Sequence, residues 1–138
     1  MISSIESFMT LSNMGFLSPD GKCFSFDARG NGYGRGEGFG VLVVKLLSDA
    51  IRDGDTIRAV VRSSGTNQNG RNRSITQTSK SDQISLMTET YRKAGLDLAA
   101  TRFVEAHGTG TALGDPVEAG AIGQVFGQYR SAEDLLYM

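Results

Sequence analysis

The chain has 138 residues, enough for one ordinary domain or for part of a larger one. Its 14 basic and 15 acidic residues are interspersed and leave a formal net charge of −1, which removes the electrostatic case for binding nucleic acid or an anionic membrane surface. One cysteine cannot form an internal disulfide, no secretory signal opens the chain, and no apolar run approaches the ~20 residues needed to span a bilayer, so a reducing, cytoplasmic setting is expected.

Ser3 and Glu6 have capping-box spacing, and Ile5, Phe8 and Met9 share one face of the helix that follows, with Gly15 placed to end it. Ser18-Pro19-Asp20-Gly21 reads as a turn, and residues 23–27 as a short extended piece. Glycine then takes every second position from Gly30 to Gly40. With 18 glycines against 2 prolines, tight turns and close backbone approach are expected rather than a disordered linker.

Val41-Leu42-Val43-Val44-Lys45-Leu46-Leu47 reads as a strand buried on both faces. Residues 48–52 form a helical turn closed by Asp53-Gly54, and residues 56–64 a second strand. Residues 66–79 are polar and irregular, with a turn at Asn69-Gly70. An amphipathic helix is predicted over 81–94, with Ile84, Met87 and Tyr91 on one face and Gly95 as its stop. Residues 101–106 are a third strand. Residues 115–126 are a helix with Asp115 as N-cap, Pro116 as first helical residue and Glu118 completing a capping box. Residues 135–138 look like the beginning of a further strand. Strands alternating with helices predict an α/β fold, with no internal linker or short repeat.

His107 is the only histidine and follows the apolar third strand. A lone histidine at a strand end is as often held structurally as used chemically. Here Gly108 and Gly110 let backbone approach a ligand, Thr109 and Thr111 add hydroxyls, and the helix at Asp115 turns its N-terminus toward the same loop. Such a loop can stabilise a developing oxyanion, with a neutral imidazole as donor. Spacing alone favours a capping role for Glu118. The alternating glycines do not match G-x-G-x-x-G, because the third glycine would fall at Glu37, and no Walker A sequence is present. Cys23 follows a turn rather than opening a helix, a poor place for a nucleophile, and one His with one Cys makes no metal site.

The run Glu105-Ala106-His107-Gly108-Thr109-Gly110-Thr111, followed by Gly114-Asp115-Pro116 and Glu118, resembles the β-ketoacyl synthase domain of type I polyketide synthases, with relatives in fatty acid synthases. Leu17-Ser18-Pro19-Asp20-Gly21 agrees in order and spacing. So do Phe26-Asp27 with Gly34-Arg35-Gly36-Glu37-Gly38, Leu47-Ser48-Asp49-Ala50 with Asp53-Gly54-Asp55, and Asn67-Gln68-Asn69-Gly70. The run Glu118-Ala119-Gly120-Ala121-Ile122 with Val125-Phe126 looks most like the fungal reducing type.

The resemblance implies the thiolase-like fold, two similar α/β halves, with residues 1–138 covering the end of the first half and the start of the second. It implies an acyltransferase that joins acyl and malonyl thioesters by decarboxylative Claisen condensation. In that family a cysteine accepts the acyl chain from phosphopantetheine, and two histidines promote decarboxylation and stabilise the enolate. His107 corresponds to the first histidine. By the same resemblance Thr109 and Thr111 hydrogen-bond the pantetheine arm, while Glu118 and Asp115 support the loop. The segment itself binds no cofactor. Its partners would be an acyl carrier domain, a second copy in a homodimer and the remaining synthase domains. The nucleophile motif has no match here, Cys23 aligns elsewhere, and the second histidine belongs to a lysine-containing motif that follows the strand resembled by Leu136-Tyr137-Met138. Thr78-Ser79-Lys80-Ser81 replaces a stretch that often carries proline. The isolated chain is therefore expected to be inactive, and to fold partially or associate. The alternative is a short non-catalytic module that keeps a carrier-docking or dimerisation surface.

Overall fold

A computed structural model describes residues 4–70 and 78–138. Among the described residues four helices order the chain: α1 (Ile5–Asn13), α2 (Leu47–Asp53), α3 (Lys80–Ala94) and α4 (Gly114–Phe126). Single turns of 3₁₀ helix lie at Leu98–Ala100 and Gly127–Tyr129. None of the described helices is long and apolar enough to cross a membrane.

The helices lie where local signals put them, with shifts at their ends. Ser3 lies outside the described residues, and the cap of α1 is Ser4, whose side chain accepts from the Ser7 amide. Ser79 caps α3 by accepting from the Asp82 amide. Asp82 lies in the first turn and Arg92 and Lys93 in the last, each complementing the helix dipole. Gly54 and Gly95 close α2 and α3 in the left-handed conformation expected of helix-ending glycines.

Helix α4 departs from the expected start. It begins at Gly114 with Leu113 as the cap position and no side-chain cap bond. Asp115 is thus the second helical residue and not the N-cap, Pro116 is the third, and Glu118 closes no capping box. The physical reason is that both carboxylates are drawn off by a different set of amides, those of the preceding loop. The Thr111 hydroxyl instead accepts from the Gly114 amide at 3.2 Å.

The core is built on α4. Ala121, Ile122, Val125 and Phe126 are buried on it. Ile84, Met87 and Tyr91 of α3 pack against it, as the amphipathic spacing predicts. Val104, Ala106 and Leu136 pack against the same cluster. The Tyr91 and Phe126 rings meet edge to face, with centroids 5.6 Å apart. The Tyr91 hydroxyl bonds Thr101 Oγ1 at 2.8 Å, which joins the end of α3 to the start of the third predicted strand.

The predicted strands are present only as paths and bridges. Residues 101–106 pair with residues 136–138 through one parallel bridge, Phe103 with Tyr137. Its hydrogen bonds are Val104 N to Tyr137 O and Tyr137 N to Arg102 O. Residues 41–46 and 55–64 form no ladder among the described residues. The first of these segments is exposed, not buried on both faces: Val41, Leu42, Val43 and Val44 are 81–95% accessible. A strand exists by hydrogen-bonding to a neighbour, and the described residues offer none here. Residues 23–27 are not wholly extended either: the Asp27 amide closes a turn on Phe24 O, and Phe26 takes φ +56°. The turn at Ser18 is as predicted, with the Gly21 amide on Ser18 O at 3.0 Å. A second parallel bridge joins Leu17 to Tyr33 and fixes the segment that follows this turn.

Candidate active site

The loop of residues 107–111 leaves the third strand and enters α4. It is glycine-rich, with Gly108 at φ +49° and Gly110 at φ +74°. Such a loop has little stiffness of its own. Its shape is set by hydrogen bonds to four of its five amides and to several of its carbonyls.

Glu118, one turn into α4, takes the amides of His107 at 2.7 Å and Gly108 at 2.9 Å, one on each carboxylate oxygen. Asp115 takes the amides of Gly110 at 3.1 Å and Thr111 at 3.1 Å. It also takes the amide of Phe26 at 2.7 Å. The carbonyls are held from the same distant segment. Ser25 Oγ donates to Gly108 O, and the Gly32 amide donates to Gly110 O at 3.1 Å. Two carboxylates thus receive five amide hydrogens, each bond strengthened by the negative charge.

Packing leaves no slack around Gly110. A Cβ there would lie 2.7 Å from the Phe24 amide nitrogen, on a residue whose φ already favours glycine. Gly32 is as tight, with Leu17 carbonyl carbon 2.7 Å from its Cβ position. Of the alternating glycines, Gly30, Gly32 and Gly34 serve close backbone approach, while Gly36, Gly38 and Gly40 have nothing within 4 Å of their Cβ positions.

His107 itself is exposed, so its imidazole is accessible while its backbone is fixed. Thr109 and Thr111 are half-buried, with their hydroxyls 3.3 Å apart. A threonine hydroxyl has one donor and two acceptor sites. Thr111 spends one acceptor on the Gly114 amide and keeps the rest for Thr109 or a ligand. An open cleft of about 400 Å³ borders the loop, lined by Phe26, Asp27, Thr111, Ala112 and Pro116 among others.

All five predicted residues, His107, Thr109, Thr111, Asp115 and Glu118, meet at this loop. The sequence reading missed Ser25, Phe26 and Gly32 as its partners, because they lie some 80 residues upstream and carry no pattern that names their contact. Cys23 is exposed and turned to Gly34, whose amide donates to its Sγ at 3.2 Å. Among the described residues no three metal-ligating side chains gather.

The family description "Beta-ketoacyl synthase, C-terminal domain" matches residues 58–138, and its N-terminal counterpart matches residues 1–50. The chain belongs to the β-ketoacyl synthase family. The highly reducing polyketide synthase NEC1 of Pyricularia oryzae is 56% identical over 138 residues, all of this chain and 5% of that protein. The compactin diketide synthase mlcB of Penicillium citrinum is 57% identical over 121 residues, 88% of this chain and 5% of its own length. Such fungal relatives agree with the reducing type expected from residues 118–126. The chain therefore spans about a twentieth of the curated relatives it matches.

The ketosynthase from module 6 of the bacillaene synthase of Bacillus subtilis superimposes with a TM-score of 0.88 at 41% identity. The match covers 94% of this chain and 24% of that one. The thiolase-like α/β expectation is met: the chain follows the ketosynthase path even where its own extended segments lack a pairing neighbour.

Proposed function

We propose that residues 1–138 form the central part of a ketosynthase condensing domain and supply it with one catalytic histidine, His107. The domain would carry out decarboxylative condensation of acyl and malonyl thioesters borne on the phosphopantetheine of an acyl carrier domain. It would act as a homodimer beside the other domains of a fungal reducing polyketide synthase, in the cytoplasm. The observation that carries this reading is the geometry of one loop: its backbone is locked by Glu118 and Asp115, while the His107 imidazole stays exposed.

Chemically, loss of carbon dioxide from a malonyl thioester leaves negative charge on the thioester oxygen as the enolate forms. A neutral imidazole fixed within hydrogen-bond reach stabilises that charge without reorganising, which is where such groups act most strongly. The hydroxyls of Thr109 and Thr111 are suited to hold the amide-rich pantetheine arm beside it. Glu118 supports the loop by holding the His107 amide.

The test is His107→Ala in the complete condensing domain, with the two half-reactions measured separately. Acylation of the nucleophilic cysteine should persist. Decarboxylation of a malonyl-loaded carrier should fall by about 10²–10³-fold. A folded variant that decarboxylates at the parent rate would remove His107 from the chemistry.

A further inference from the structure

The loop that presents His107 is held from two regions that are far apart in sequence. Glu118 acts from within the same stretch. Asp115 and Ser25 act differently, because they tie the loop to residues 24–32. The two parts match different halves of the family: residues 1–50 the N-terminal description, residues 58–138 the C-terminal one. The contact is therefore a seam between halves, and it falls on the loop itself.

Three features bear on what the seam does. Asp115 is only 6% exposed, yet the bonds that answer its charge are amides, from Gly110 and Thr111 on one side and Phe26 on the other. A buried carboxylate that accepts several N–H groups is well satisfied, and replacing one of its oxygens by a donor leaves the amides that faced it without a partner. Ser25 donates to Gly108 O across 83 residues of chain. Finally, the fit is tight: Cβ atoms at Gly30 and Gly110 would lie 2.9 and 2.7 Å from backbone of the opposite segment. The two backbones are in direct contact across the seam.

We propose that Ser25 is a positioning residue: together with the loop-supporting Asp115 it makes the segment 24–32 a fixed backing that holds the 107–111 loop at the geometry its histidine needs. The inference rests on the reading of His107 as catalytic. Displacement of a reacting group by about 1 Å costs about a hundredfold in rate, so loosening this backing should appear in the step that uses His107 and not in cysteine acylation.

The experiment uses the complete condensing domain, an acyl thioester for the first half-reaction and a malonyl-loaded carrier domain for the second. Asp115→Asn keeps the side-chain shape but points an NH₂ at amide donors. It should lower the decarboxylation kcat about ten- to a hundredfold with KM unchanged, and leave cysteine acylation per folded molecule as it was. Ser25→Ala, which removes one hydroxyl and its bond to Gly108 O, should move the same kcat in the same direction by a smaller factor in folded protein. If Asp115→Asn does not fold, Ser25→Ala decides alone. Equal losses in both half-reactions would show general damage and overturn the inference, as would parent-like decarboxylation in folded variants. His107→Ala separates the two levels. If it abolishes decarboxylation while Ser25→Ala and Asp115→Asn do not alter it, only the positioning roles fail. If His107→Ala is itself without effect, both readings fall together.

Discussion

Gly110 shows how much one residue can carry. Its φ of +74° is strained for any side chain, and the space a methyl would need is filled by Phe24 backbone. Gly95, at φ +61°, has nothing within 4 Å of its Cβ position. Gly95→Ala should therefore cost only the left-handed strain, about 1–2 kcal/mol. Gly110→Ala should cost clearly more, and should also disrupt the histidine loop. Paired urea melts of the two variants in the complete domain would separate strain from collision; equal losses would mean the collision relaxes away. Asp27, next to the Phe26 turn, gives a second test at this scale. Its carboxylate is held down to about 2 from an ordinary 3.8, first by hydrogen bonds from the Arg29 side chain and then by the Arg29 amide. A depressed carboxylate stabilises the fold above its unfolded value and loses that contribution as pH falls toward 2. The pair is solvated, so the effect on stability should be small. A carboxyl-carbon NMR titration should place the midpoint near 2 in the parent, and Arg29→Met should move it back toward 3.8.

At the scale of elements, α4 organises both the core and the site. Phe126 is 2% exposed at its C-terminal end, while Asp115 and Glu118 act at its N-terminal end. Phe126→Ala should destabilise the complete domain by about 3–5 kcal/mol, read as a shift of the denaturation midpoint. Because the defect lies at the far end of α4, the folded fraction should keep its decarboxylation rate; loss of rate in folded protein would mean that α4 transmits the change along its length. The same helix shows what a sequence can and cannot disclose. Its existence and its closeness to His107 were legible, since spacing and turn chemistry are local. Its cap was misread, because Asp115 and Glu118 fit a local capping pattern, while the amides of the preceding loop, joined at Asp115 by that of Phe26, take both carboxylates instead. The helices α1 to α3 were legible for the same local reason, to within a residue at their ends. The strands were legible as apolar runs and not as pairs, since pairing depends on which neighbour is present.

For the whole molecule the apolar segments decide behaviour. Val41 to Val44 are each more than four-fifths exposed, and Val61 is 80% exposed nearby in the chain. Contiguous apolar backbone with unpaired N–H and C=O groups is a template for association. Among the described residues, the buried apolar side chains are Ala50, Ala121, Ile122, Val125 and Phe126, a small set to weigh against it. A polypeptide of these 138 residues should therefore associate or melt without a cooperative transition. Sedimentation velocity and thermal scans would check this, and a compact monomer with a sharp transition would contradict it. The same polypeptide should form no carbon–carbon bond, because its one cysteine lies exposed on Gly34 rather than at a helix N-terminus where a thiolate is favoured. Mass spectrometry after incubation with an acyl-loaded carrier should find Cys23 unmodified. Acyl transfer to Cys23 would mean that the site keeps a nucleophile of its own, and that His107 acts with a different partner from the one its family implies.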